Sequence, residues 1–144
     1  MQLTRYTDYS LRVLMYLAVH PERLATITEI STAYDISRNH LVKVVHELGT
    51  LGFIQTQRGK QGGIRLAHTP AKINIGQVVR KVEKNLSIVN CTEPKCPILP
   101  ACDLRAVLFQ ARDAFMAVLD DYTLADLIKG QRTSQLQKLL EKAR

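Results

Sequence analysis

The chain has 144 residues, 46% of them hydrophobic, and 20 Lys and Arg stand against 13 Asp and Glu for a formal charge of +7. That length sustains one domain with its own core. No apolar run approaches the ~20 residues of a membrane span, there is no repeat or low-complexity tract, and the positive balance raises the odds of a polyanionic partner, with a merely soluble basic surface as the alternative.

In chain order, Met1-Gln-Leu-Thr-Arg carries no apolar signal segment, so the expected compartment is the cytoplasm, where disulfides are uncommon. Thr7 is placed to cap a first helix in which Leu11, Leu14, Met15 and Ala18 recur at helical spacing, and His20-Pro21 ends it. Thr26-Ile-Thr-Glu29 has the form of a capping box, with Ile27, Ile30 and Tyr34 as the apolar stripe of a short second helix. Asp35-Ile36 makes a tight turn, Ser37 caps a third helix, and Leu41, Val44, Val45, Leu48 and Leu51 run along it until Gly52 stops it. Two short helices joined by a tight turn, the second polar and basic at its N-terminal end, form the pattern that lays a recognition helix in the major groove.

Phe53-Ile-Gln-Thr-Gln57 then alternates as a strand, Arg58-Gly-Lys-Gln-Gly-Gly63 makes a glycine-rich tip, and Ile64-Arg-Leu66 returns, together a wing. Glycines 59, 62 and 63 are expected to allow positive φ and a close approach of backbone to phosphate. The tip lacks the Gly-Lys-Ser/Thr ending of a nucleotide-binding loop. His20, His40, His46 and His68 are scattered and form no catalytic constellation, so no enzyme is expected. The residues expected to meet DNA are Thr28, Ser37, Arg38, Asn39, His40 and Lys43 of the helix-turn-helix, and Arg58, Gly59 and Lys60 of the wing.

A helix marked by Ile75, Val78, Val79 and Val82 is expected to end near Asn85, and the chain's only three cysteines follow at Cys91, Cys96 and Cys102. Pro94, Pro97 and Pro100 among them exclude an ordinary helix or a central strand, leaving a stiff loop that presents thiols. The odd count argues against a disulfide framework. Three soft ligands at four- and five-residue intervals leave an iron-sulfur cluster completed from elsewhere, a zinc site and inert buried thiols all open. The next helix carries Leu104, Val107, Leu108, Ala111, Phe115, Val118 and Leu119 as one stripe, longer than a small winged-helix unit needs for its own core, so a partner subunit is expected to cover part of it. Thr123 and Asp126 open a further turn, and Leu136, Leu139 and Leu140 give the tail a weak stripe, expected to fray. The fold class is thus mainly α with a small β-wing. The expected regulator domain covers residues 1–130, with helix-turn-helix 27–51, wing 53–67, cysteine loop 88–103 and dimerisation helix 101–121, and the tail covers 131–144.

With these features and the segment Tyr122-Thr-Leu-Ala-Asp-Leu127, the chain resembles the Rrf family of small winged-helix regulators from its first residue to about residue 130. It is most similar to the nitric-oxide-sensing repressors of that family, through Ser37-Arg-Asn-His40, Arg58-Gly-Lys60 and Val89-Asn-Cys91. The resemblance implies that Cys91, Cys96 and Cys102 hold a 4Fe-4S cluster, and that Asp8 reaches the partner subunit's cluster as an oxygen ligand. It further implies a homodimer on double-stranded DNA at an inverted-repeat operator, released when nitric oxide modifies the cluster so that nitrosative-stress genes are derepressed. Without the resemblance, Asp8 reads as a first-turn acid favoured by the helix dipole. Cluster-assembly regulators of the family place a histidine ligand three residues after the third cysteine, where this chain has Arg105. An iron-sulfur-status or redox signal and a zinc- or thiol-based regulator are alternatives. A small iron-sulfur electron carrier is another, but it leaves the wing and basic helix unexplained.

Overall fold

The computed structural model describes residues 2–142, so the first residue of the expected 1–130 domain and the last two of the tail lie outside the described residues. Helix α1 (Arg5–Val19) is the central rod and packs against every layer around it. Its cap is Thr4, whose hydroxyl accepts from the Thr7 amide at 3.3 Å. Thr7, expected to be the cap, is instead a wholly buried residue inside the first turn. The single stripe read from the sequence is also too narrow. Val13, Leu14, Tyr16, Leu17, Ala18 and Val19 are all buried, because neighbours surround the C-terminal half of the helix on every side.

Helix α2 (Ile27–Tyr34) begins in the expected capping box, with Thr26 accepting from the Glu29 amide and Glu29 accepting from the Thr26 amide. Asp35 turns the chain in the left-handed region at φ 51°, a conformation Asp tolerates better than most residues. Helix α3 (Arg38–Thr50) follows, with Leu41, Val44, Val45 and Leu48 buried and Gly52 at φ 79° beyond its end. Strands β1 (Ile54–Gln57) and β2 (Gly63–Leu66) pair antiparallel with Ile54 opposite Leu66 and Gln57 opposite Gly63. On its other side β2 is tied to the α1–α2 connection: the Ala25 amide donates to the Ile64 carbonyl at 3.0 Å, and the Ile64 amide donates back at 2.8 Å.

Helix α4 (Ile75–Val82) buries Ile75, Val78, Val79 and Val82 and ends at Val82, earlier than expected, because Glu83 leaves helical geometry. Helix α5 (Asp103–Asp120) follows a short 3-10 turn at Leu99–Ala101 that contains Pro100. Gly76 of α4 lies so close to Asp120 that a Cβ there would collide with its carboxylate. Arg80 pairs with the same carboxylate in fork geometry, so the C-terminal end of α5 is locked to α4. The capping box at Thr123 and Asp126 opens α6 (Leu124–Leu127). The described part of the tail, expected to fray, is instead a helix: α7 (Gln131–Lys142) packs on α1 and α2, with Leu140 buried in the core and Gln137 donating to the Val19 carbonyl at the end of α1.

Candidate nucleic-acid interface and cysteine loop

The polar end of α3 stands clear of the core. Ser37 holds the N-cap position without a side-chain cap bond, and Ser37, Arg38, Asn39, His40 and Lys43 are all exposed, as is Thr28 in the first turn of α2. The reason is positional: Leu41, Val44, Val45 and Leu48 occupy the inward stripe, which turns Asn39, His40 and Lys43 outward. At the wing tip Arg58, Gly59 and Lys60 are exposed as well. Among the described residues, none of Arg38, Lys43, Arg58 and Lys60 is tied into an ion pair. These cations are therefore available to phosphate, and Asn39 has the groups for a paired contact with adenine.

The expectation for the wing glycines holds only at Gly59, which adopts φ 115°. Gly62 and Gly63 have ordinary φ values and are required for a different reason. A Cβ on Gly62 would enter the Gln57 carbonyl, and one on Gly63 would stand 2.7 Å from the Ala25 carbonyl. Gly62 lets backbone meet backbone inside the wing, and Gly63 lets the wing meet the α1–α2 connection.

The cysteine loop is built by short local bonds. Asn90 accepts from the Thr92 and Glu93 amides, both at 3.1 Å, and the Cys96 amide donates to the Cys91 carbonyl at 3.0 Å. Cys91, Cys96 and Cys102 are all half-buried free thiols. Cys102 stands at the N-cap of α5, an 18-residue helix, and makes no side-chain cap bond there. Among the described residues, no three His, Cys, Asp or Glu side chains are grouped to hold a single metal ion. The donor set of three soft thiols on one loop fits a multi-iron cluster whose remaining ligand comes from outside the loop. The Arg105 guanidinium lies 4.8 Å from the Phe109 ring centroid.

Asp8 lies in the first turn of α1, its side chain 45% exposed and held by the Arg12 guanidinium at 2.9 and 3.0 Å. Sequence reasoning missed the residues around it. Tyr6 donates to the Lys43 carbonyl at 2.9 Å, and burial followed by the neighbouring Glu47 carboxylate raises its phenol well above the usual range. Glu83, only 9% exposed, accepts from the Thr4 amide, the Thr4 hydroxyl and the Thr7 hydroxyl. Burial alone would push its carboxyl up, and these three bonds outweigh it to hold the pKa below the ordinary range. No sequence signal marks Glu83, because its partners lie 76 and 79 residues away.

An exposed basic helix end beside a glycine wing defines the class: a winged helix-turn-helix regulator. The Rrf2 family model, described as an iron-dependent transcriptional regulator, matches residues 3–130, and the chain belongs to that family. The HTH-type transcriptional regulators NsrR of Halalkalibacterium halodurans and Bacillus subtilis are 49% and 50% identical to it, each over 98% of both chains. Its fold matches CymR, the global cysteine regulator of B. subtilis, with a TM-score of 0.73 at 28% identity over 88% of this chain and 95% of that one. It matches T. potens IscR with a TM-score of 0.76 at 24% identity over 94% and 91%, a likeness of fold. The chain is accordingly a transcriptional regulator and not an enzyme. No helix among the described residues is long and apolar enough to cross a membrane.

Proposed function

We propose that the protein is a cytoplasmic, homodimeric repressor that binds an inverted-repeat operator and releases it in response to nitric oxide. The observation that carries this reading is the joining of three free thiols to the head of a helix that one chain leaves largely uncovered. Of the stripe on α5, Leu104, Val107 and Val118 remain 63%, 58% and 58% exposed, and only Met116 of the whole helix is buried. An apolar face of that extent is what a second copy of the helix would cover.

Cys91, Cys96 and Cys102 would hold a 4Fe-4S cluster, with the partner subunit's Asp8 as the remaining ligand. When bound, the cluster supplies iron that reacts with nitric oxide. The chain's own residues do the rest. Arg38, Asn39, His40 and Lys43 address the major groove, Thr28 and Ser37 flank them, and Arg58, Gly59 and Lys60 reach the backbone. Two such heads bind one operator only at a fixed separation, because half-sites lie about one helical turn, ~34 Å, apart. A device at the root of α5 that shifts one protomer against the other therefore governs affinity. A hundredfold change corresponds to a coupling of ~2.7 kcal/mol, within the usual allosteric range.

The test is anaerobic purification with iron and sulfide analysis and visible absorbance, followed by nitric oxide titration while operator binding is monitored. About four irons per chain and loss of DNA as the absorbance bleaches is the expected result. A colourless protein that holds zinc and ignores nitric oxide would overturn the cluster reading and leave a thiol-based regulator.

A further inference from the structure

Within one chain, helix α5 is anchored near one end only. Asp103, Leu104, Arg105, Ala106 and Val107 at its start are all exposed, Met116 near its end is its one buried residue, and α4 is its principal neighbour. Its direction relative to the DNA-binding head is therefore set in its last two turns.

The attachment there combines backbone and side-chain contacts. Residues 73–75 run antiparallel to residues 122–124: the Ile75 amide donates to the Tyr122 carbonyl at 2.9 Å, and the Leu124 amide donates to the Ile73 carbonyl at 2.8 Å. Ile73 and Leu124 both lie in the core, so this seam is rooted in the head. Asn74, between them, serves two helices at once. Its side-chain oxygen accepts from the Gln77 amide at 2.9 Å and so caps α4, while its side-chain amide donates to the Asp120 carbonyl of α5 at 2.6 Å. Gly76 has no Cβ to keep Asp120 away, and Arg80 grips the Asp120 carboxylate through both terminal nitrogens, Nη2 meeting Oδ2 at 2.6 Å.

The Arg80 and Asp120 side chains are 45% and 39% exposed, and an ion pair so open to water contributes little to stability. What it supplies is direction, because a planar guanidinium fork on a carboxylate holds an orientation that a single hydrogen bond leaves free to swivel. Length amplifies that direction. An 18-residue helix is ~27 Å long. A rotation of about 7° at the joint therefore swings the far end of α5 by ~3.4 Å, the rise of one base pair.

We propose that the joint of Asn74, Gly76 and Arg80 with Asp120 sets the half-site spacing the protein accepts, by fixing the angle at which α5 leaves the DNA-binding head. This rests on the reading of the protein as a homodimer paired through α5. Symmetry repeats the angle in both protomers, so an error at the joint is made twice. Two half-sites on one face of the duplex tolerate little such error. Asn74, Arg80 and Asp120 are positioning residues, and none belongs to the set assigned to DNA.

The test uses full-length wild type, Arg80→Gln, Asp120→Ala and the double variant, purified anaerobically and compared at equal iron content. Each is titrated onto an inverted-repeat duplex selected with the wild type from a random pool, and onto duplexes with the same half-sites brought one base pair closer or moved one base pair apart. Sedimentation records the oligomeric state, and circular dichroism the fold. The wild type is expected to discriminate sharply against both altered spacings. In Arg80→Gln that discrimination should shrink about tenfold, a change of the size that repositioned elements produce, with the variant still a folded dimer. Asp120→Ala should do the same, and the double variant should be no broader than either single one, because both substitutions remove one interaction. A dimeric Arg80→Gln that keeps the wild-type spacing profile overturns the joint and leaves the repressor reading standing. An Arg80→Gln that weakens all three duplexes alike, or that no longer dimerises, also overturns it, since the pair then serves affinity or assembly. A wild type that sediments as a single protomer overturns both readings.

Discussion

At the scale of single residues, the most constrained positions are the ones that carry no reactive group. Gly63 packs its backbone against the Ala25 carbonyl at a distance that admits no Cβ. Gly63→Ala should therefore spring the wing from the α1–α2 connection. Operator binding is expected to weaken by roughly 1–3 kcal/mol, while far-ultraviolet circular dichroism of the helices stays close to wild type. Glu83 carries a different kind of constraint. Its folded pKa lies below the unfolded one, so its contribution to stability is present above the ordinary glutamate range and drains away as the pH falls through the folded value. Glu83→Ala, which removes the acceptor of the buried Thr7 hydroxyl and of the Thr4 amide and hydroxyl, should cost on the order of 1–3 kcal/mol at neutral pH. The difference from wild type should shrink below about pH 4, as denaturant unfolding at stepped pH would report.

At the scale of elements, α4 works as a strut. Gly76 and Arg80 bind it to Asp120 at the far end of α5, and Glu83 binds it to the start of α1. Gly76→Ala should drive Asp120 away from Arg80 and lower the melting temperature, and a compensating small residue at 120 should restore part of it. Helix α7 is a brace of comparable weight, because it buries Leu140 against the core and caps a carbonyl of α1. Leu140→Ala is expected to cost about 2–3 kcal/mol in equilibrium unfolding. The expectation of a fraying tail failed because periodicity measures the stripe and not what receives it. Leu136, Leu139 and Leu140 look weak beside Leu104, Val107 and Leu108, yet Leu140 has a seat within the same chain while Leu104 and Val107 have none. The capping boxes at Thr26 and Thr123, by contrast, were legible, since both partners of each lie within four residues. The Thr7 cap was misread because Thr4 and Thr7 are both plausible caps locally. Glu83, more than seventy residues away, claims Thr7 for another bond.

At the scale of the molecule, the exposed stripe of α5 should behave as an interface. Leu104→Glu combined with Val107→Glu should leave the protomer folded, since both side chains are mostly exposed within one chain. Sedimentation should then report a single protomer, and operator affinity should collapse with loss of the second head. The overall plan was readable from sequence because each part of it is local: a tight turn, a basic helix end, a glycine tip and a proline-stiffened cysteine loop. The contacts from α1 to α3 and α4 were not, because nothing in a linear pattern says that Tyr6 will meet Lys43 or that Thr7 will meet Glu83.

The bond pair between Ala25 and Ile64 has a thermodynamic consequence for recognition. A wing hinged only at its own base would be floppy in the free protein and would lose that freedom on reaching a phosphate, and the lost entropy would be subtracted from affinity. With β2 paired to β1 on one edge and to Ala25 on the other, most of that ordering is completed when the chain folds. Loosening the Ala25 seam should therefore appear in calorimetry as a more unfavourable entropy of operator binding, before any change in the contacts the wing makes once it has arrived.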